Sequence, residues 1–176
     1  RNIFFILIML LPIKSFALIE VDITRGNLNP LPVAVSPLSI DDDSKNGFKK
    51  ILKTKNLGME ISTIVENNLR QSGLFNPLNK DAFLQKPDIA NLKPRFEDWN
   101  LIKAQALITG KVSLIDEKLR VEFRLWDVLA GKEMMALAFT TVPSNWRRVG
   151  HIITDKVYER LTGEKGYFDT RIIYVS

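Results

Sequence analysis

An almost unbroken apolar run opens the chain over residues 1–13, and Lys14 ends it. Ser15 and Ala17 follow, and small residues at these two positions are typical of the cleavage site of an export signal peptidase. Ten or so apolar residues form about 15 Å of helix, whereas the hydrocarbon core of a bilayer is about 30 Å thick. The pattern therefore predicts a cleaved signal peptide over residues 1–17 rather than a membrane anchor.

Alternating apolar and polar residues predict two strands after this segment, over residues 18–23 and 31–38. The second is bracketed by prolines, which cannot donate to a sheet, so it is expected at an edge or entering the sheet late. The first lies at the new amino terminus, where a chain end is mobile unless it docks. It can complete this domain's own sheet or add as a strand to the sheet of a partner.

Apolar residues at helical spacing predict two main helices, over residues 59–72 and 145–161. Gly73 and Gly163 stand where a left-handed residue ends a helix. Ser144 is expected to cap the start of the second helix. The apolar stripes comprise Leu57, Ile61, Ile64, Val65 and Leu69 in the first helix and Val149, Ile152, Ile153, Val157 and Leu161 in the second.

Three further strands are predicted between these helices, near residues 105–115, 119–128 and 133–142, with short turns that make a meander. In the middle strand apolar residues alternate with Arg120, Glu122 and Arg124, so one face is expected to be packed and the other solvated.

In three other stretches the apolar residues do not recur with a clear helical or strand spacing. Residues 40–58, which are rich in acidic residues and lysines, are predicted to be a solvated loop with a short helical turn around Phe48 to Leu52. Residues 79–95, which contain two prolines, are predicted to be a connecting loop. Residues 96–103 fit a short helix, with acidic residues favourably placed in its first turn.

Composition narrows the possible chemistry. The 176 residues fit one domain, with or without small appendages, and contain no cysteine and one histidine, His151. Disulfides, thiolate metal sites and a site with two histidine ligands from one chain are therefore excluded. The net charge of +5 is spread along the sequence, whereas nucleic-acid-binding proteins concentrate basic residues in a patch.

Two stretches invite a catalytic or metal-binding interpretation. From Asp42 onward the sequence matches the first half of a calcium-binding loop, but its twelfth position is Lys53 where a glutamate is required. His151 lies beside the apolar stripe of the second helix, and no G-x-S-x-G motif supplies a nucleophile. A solvated loop and a packed or surface histidine are the better interpretations, and the sequence contains no catalytic constellation.

The aromatic and basic residues offer a weaker alternative. Trp99, Trp126 and Trp146 lie on three different predicted elements, and Arg147 and Arg148 are adjacent on the second helix. These residues form the basis of an alternative in which the chain is a periplasmic hydrolase or a small-ligand-binding domain. Core packing is the default role of such aromatic side chains.

Several stretches together resemble the TolB family. They are IEVDITRG at 19–26, PVAVSPL at 32–38, LRQSGLFNPL at 69–78, ALITGKV at 106–112 and LTGEKGYFDTRIIYV at 161–175. The resemblance implies an α+β fold, a mixed β-sheet with the two main helices packed on one face. It also implies a signal peptide over 1–17, an amino-terminal domain over 18–163, and a hinge with the first strand of a truncated β-propeller over 164–176.

The resemblance further implies a non-catalytic periplasmic adaptor of the Tol–Pal system, without metal or cofactor, that supports outer-membrane invagination during cell division and envelope integrity. The mature amino-terminal segment is expected to contact TolA through Ile19, Glu20, Val21, Asp22, Ile23 and Thr24. The family's propeller binds Pal, and it is expected to be missing from this chain. Residues 166–176 are expected to be poorly ordered, because an orphan strand exposes unpaired backbone groups.

Overall fold

The computed structural model describes residues 29–54 and 56–170. The predicted signal peptide, the strand at 18–23 and the last six residues lie outside this part. The elements are β1 (Leu31–Val35), β2 (Ser39–Ile40), α1 (Asp42–Leu52), α2 (Leu57–Gln71), β3 (Phe75–Pro77), α3 (Pro87–Leu92), α4 (Phe96–Leu101), β4 (Ala106–Ile115), β5 (Lys118–Asp127), β6 (Lys132–Thr141) and α5 (Trp146–Thr162). Single 3₁₀ turns occupy Lys80–Ala82 and Pro143–Asn145.

The strands form one mixed sheet with the order β3-β1-β4-β5-β6. β1 runs parallel to β3 and β4, and β4, β5 and β6 form the predicted antiparallel meander. β2 continues the line of β1 and pairs with the far end of β4. Pro37, which has no N–H to donate, lies in the interruption between them. The α+β fold predicted from the sequence is confirmed.

Most of the apolar core lies on one face of the sheet, beneath α1, α2 and α5. The inward residues of β5, Leu119, Val121, Phe123 and Leu125, are buried there. The predicted stripes of both long helices meet them, apart from Ile152, which is only half-buried and does not belong to this core. The placement of these helices on one face is confirmed. Burying a large apolar side chain stabilises the fold by about 1.5–3 kcal/mol, so this layer supplies most of the driving force for folding.

The opposite face is covered at one end and solvated at the other. A smaller core, centred on Trp99 and Leu107, packs residues of α3 and α4 against β1 and β4. Gln85 organises this segment: its buried side chain donates to the Lys93 carbonyl and accepts from the Arg95 amide and the Trp99 indole. The interpretation of residues 79–95 as a loop is therefore wrong for α3 and the 3₁₀ turn.

The solvated end of this face lies over β5 and β6. Arg120 pairs with Glu122, and Arg124 with Glu133, at 2.8 and 3.3 Å between charged atoms. These side chains are about one-third to two-fifths exposed, which confirms the predicted wet face.

The loop predicted over residues 40–58 is wrong for most of its length. Asp41 caps α1, with its side chain accepting from the Ser44 amide at 2.8 Å. Phe48 is 1% exposed and anchors the helix to the main core, while the lysines lie on the outer side. The helical turn expected around Phe48 to Leu52 is confirmed, and the helix extends back to Asp42. Leu52 also packs against the main core, so the cap and two apolar contacts stabilise this short helix.

The ends of the long helices agree with the prediction except at one cap. Gly73 and Gly163 have φ angles of 73° and 76°, in the left-handed region expected after a helix. Ser144 does not cap α5, because it lies within the 3₁₀ turn. Asn145 occupies the cap position and makes no side-chain capping bond.

The chain after α5 folds back along that helix. The Asp155 carboxylate accepts hydrogen bonds from the backbone amides of Phe168 and Asp169 at 2.7 and 3.1 Å. The Arg148 guanidinium donates to both oxygens of the Asp169 carboxylate. Tyr158 packs edge-on against both Tyr167 and Phe168. Burial, with the neighbouring Tyr167 and Glu164, raises the pKa of Tyr158. Residues 167–169 therefore pack against α5, whereas the strand expected to be poorly ordered, residues 171–176, lies outside the described residues.

We predict that Asp41→Ala lowers the free energy of unfolding by about 1 kcal/mol at neutral pH. Asp41→Asn retains an acceptor oxygen and should lower the free energy of unfolding much less.

The hydrogen bond from the Ser44 amide is the main cause that lowers the pKa of Asp41, with Lys111 contributing. A lowered pKa in the folded state stabilises the protein above the unfolded value, and this contribution is lost on acidification. The difference between wild type and Asp41→Ala should therefore shrink towards about pH 3. Urea denaturation at both pH values measures it, and a difference that is independent of pH would show that the negative charge of Asp41 adds nothing to the cap.

Candidate functional site

The predicted partner-binding segment, Ile19 to Thr24, lies outside the described residues, but its point of attachment is defined. The Leu31 amide donates to the Leu74 carbonyl at 2.9 Å, which fixes the start of β1 beside β3. Six residues lie between Thr24 and Leu31, so Thr24 can lie at most about 25 Å from this point.

The candidate general base, His151, takes part in a buried link between α2 and α5. Asn68 Nδ2 donates to Thr154 Oγ1 at 3.1 Å and lies 2.9 Å from His151 Nδ1. The Thr154 hydroxyl donates to the Gly150 carbonyl, so its oxygen accepts from Asn68. An amide nitrogen only donates, hence His151 Nδ1 accepts and the ring proton is assigned to Nε2. This network holds two helices together and contains neither a serine nor a carboxylate.

The three tryptophans do not form a common stacking surface. Trp99 is buried in the smaller core, and Trp146, 8% exposed, belongs to the main one. Trp126 packs against the smaller core, on the same face as Trp99, and donates its indole N–H to Thr109 Oγ1 at 2.9 Å. The Arg147 guanidinium lies 4.2 Å from the centre of the Trp146 ring. Within the described ranges, no group of three or more acidic or histidine side chains could hold a metal ion.

Three shallow hollows lie along the edge of β2 and the start of α3. Their volumes are about 230, 300 and 340 Å³, at or below the low end of the range for small-molecule sites. The first contains Asp41, Asp88 and Lys111, and Lys111 lies 3.6 Å from the Asp41 carboxylate. The mixture of opposite charges gives these hollows no strong preference for an anion or a cation.

The outer edge of β6 is the other notable surface. Residues 134–141 of this strand carry no charge, and Ala136, Leu137 and Ala138 are consecutive exposed residues. No described strand pairs with this edge, because β6 ends the strand order. Within residues 29–54 and 56–170, no helix is long and apolar enough to cross a membrane.

Comparison with known proteins identifies the family. The family model of the TolB amino-terminal domain matches residues 19–134. The chain belongs to the TolB family. It is 87% identical over 172 residues to the Tol-Pal system protein TolB of Pelagibacter ubique (strain HTCC1062), a match that covers 98% of this chain and 39% of that relative. This TolB-family chain thus spans about two-fifths of the length of that curated relative.

A solved structure supports the family assignment at the level of fold. The crystal structure of TolB from Acinetobacter baumannii superposes with a TM-score of 0.63 at 21% sequence identity. The match covers 80% of this chain and 30% of that one. The identity is low, so this likeness concerns the arrangement of the helices and strands.

Sequence reasoning missed the partners of His151 and the role of Gln85. A polar residue at position 68, one place before the apolar Leu69, is a weak signal, because an asparagine there is equally compatible with an exposed position. Only the packing of α2 against α5 brings Asn68 within hydrogen-bonding distance of residues more than 80 positions away.

We predict that Thr154→Val lowers the free energy of unfolding by about 1–3 kcal/mol, because it removes the acceptor of a buried Asn68 N–H. Thr63→Val is the matched control, since the Thr63 hydroxyl donates to the Met59 carbonyl on the exposed side of α2. The control should change stability by less than about 0.5 kcal/mol. Thermal and urea unfolding measure both variants, and equal losses would show that the buried network contributes nothing special.

Proposed function

We propose that this chain is the amino-terminal part of a non-catalytic periplasmic adaptor of the Tol–Pal system, which supports envelope integrity and outer-membrane invagination during cell division. The observation that carries this proposal is the 87% identity to a Tol-Pal system protein over 98% of the chain. The proposed organisation is a signal peptide over residues 1–17, the domain over 18–163, and a hinge with the start of a propeller over 164–176.

The proposed contact with TolA is made by Ile19 to Thr24. In this segment Ile19, Val21 and Ile23 alternate with Glu20 and Asp22, so an extended conformation has one apolar and one acidic face. Addition of such a strand to a partner's sheet combines backbone hydrogen bonds with a row of apolar side chains. An interface of this size gives weak and reversible binding.

The proposed partner of the rest of the protein is Pal. The family resemblance assigns Pal to the propeller, and the relative from Pelagibacter ubique extends well beyond the 39% of its length that this chain covers. We therefore expect this chain to engage TolA through residues 19–24 without contributing the Pal-binding surface.

The alternative, a hydrolase or ligand-binding domain, has less support among the described residues. His151 Nδ1 is engaged by Asn68, and the hollows beside β2 are shallow. A structural role accounts for every contact that the structure gives to this histidine.

The decisive experiment measures binding of the chain from Leu18 to the periplasmic domain of TolA, beside a chain that begins at Gly26. We expect the shorter chain to lose at least about tenfold in affinity, which corresponds to about 1.4 kcal/mol. A variant with Ile19→Ser, Val21→Ser and Ile23→Ser should lose as much, because it removes the apolar face. A variant with Glu20→Gln and Asp22→Asn should retain more of the affinity.

Two results would contradict the proposal. Equal binding by the chains from Leu18 and Gly26 would place the contact elsewhere on the domain. Absence of binding by both, with the circular dichroism spectrum and thermal transition of a folded domain, would remove the TolA contact from this chain.

A further inference from the structure

The two edges of the sheet differ in how well they are protected against pairing with a strand of another chain. β3, at one edge, has three residues and ends in Pro77, and both features discourage pairing with another chain. β6, at the other edge, has ten residues, and no described strand lies on its outer side. Alternate residues of an edge strand direct their N–H and C=O groups outward, so Met135–Thr141 offer a row of donors and acceptors with which no described strand pairs.

The regular part of β6 is bounded at both ends. A register shift relative to β5 leaves Met134 as an extra residue, and Arg160 Nε approaches the Met134 carbonyl at 3.4 Å. Pro143 follows the other end. Between them, Met135–Thr141 pair regularly with β5 and contain no charged residue. A bulge and a proline normally protect an edge, and here both lie outside this stretch of seven residues.

The side chains along this stretch leave the edge accessible on both faces. Leu137 pairs with Phe123 on the helix-covered face, yet it is 37% exposed, so α5 does not extend over the edge. Ala136, Ala138 and Thr140 lie on the solvated face and are exposed. A strand approaching from outside therefore meets small or apolar side chains and no obstructing helix.

We propose that this edge pairs with β6 of a second copy of the chain, antiparallel, about a two-fold axis through Ala138. In this register Leu137 lies opposite Phe139, and Ala136 opposite Thr140. The seven residues contain an odd number of positions, so the central Ala138 meets its own counterpart. No charged side chain faces a like charge, and the nearest charged residue, Glu133, lies beyond the bulge. Two copies of the strand can therefore pair without like-charge repulsion and with small or apolar side chains opposite one another.

The size of the contact sets its strength. A single pair of strands seven residues long buries less than the roughly 1,200–2,000 Å² of a stable, specific interface. The dimer is therefore weak and reversible, and it forms when the chain is concentrated. This inference is independent of the proposed contact with TolA, which involves residues 19–24.

Sedimentation velocity of the chain from Leu18 over a wide concentration range tests the proposal, together with Ala138→Lys. Two lysines would meet on the two-fold axis and weaken association at least about tenfold. The monomer should stay folded, because residue 138 is exposed and lies opposite Glu122, which can pair with the new lysine. Leu129→Lys, with the same change of charge at an exposed turn position, should associate like the wild type.

The chain has no cysteine, which allows a direct test of the register. Directly opposed residues of antiparallel strands have Cα atoms about 4.5–5.5 Å apart, within the range of a disulfide. Ala138→Cys should therefore form a covalent dimer on mild oxidation with diamide, whereas Leu129→Cys should not. In addition, an equimolar mixture of Ala138→Lys and Ala138→Glu should associate more tightly than either variant alone.

Several outcomes would overturn the proposal. These are a wild-type chain that remains monomeric up to near-millimolar concentration, an Ala138→Lys variant that associates normally, and equal cross-linking at positions 138 and 129. If the chain from Gly26 dimerises and the chain from Leu18 does not, the amino-terminal segment is the occupant of this edge, and the proposal fails for the mature protein.

Discussion

The fold depends on burial of the first half of β4 on both faces of the sheet. Ala106, Leu107 and Ile108 are at most 1% exposed. Ala106 and Ile108 contribute to the core under α2 and α5, and Leu107 to the core around Trp99. β4 also joins the parallel part of the sheet, through β1 and β2, to the antiparallel meander. A polar residue at any of these three positions would weaken a core and both halves of the sheet together.

The close approach of other chain segments to β4 imposes a second constraint at Gly110. A Cβ atom there would collide with the Glu122 carbonyl and with the Leu38 side chain. Ser39 donates its hydroxyl to the Gly110 carbonyl at 3.1 Å, at the point where β2 replaces β1 as the partner of β4. A residue without a side chain is needed where the neighbouring strand changes, which explains a glycine within a buried strand.

Polar groups placed inside the domain specify how the layers fit together. Asn68, Thr154 and His151 link the two long helices, and Gln85 holds the segment that covers the second face. Each buried polar group needs a partner, so these residues fit one arrangement of the helices and disfavour others.

The sequence by itself determined the two long helices, the meander and the α+β class, because their apolar residues repeat with clear periods of 3.6 and 2. It also determined the family, through stretches distributed along the chain.

Of α1 it indicated only a turn around Phe48 to Leu52, because the first half of this helix is highly charged and depends on the Asp41 cap. Nor did it determine the packing of residues 166–170, which depends on Asp155 and Arg148 from a helix that precedes them. The same holds for the partners of His151 and for the open edge of β6. These features arise from residues far apart in the chain or from the order of strands, and tertiary packing alone brings such groups together.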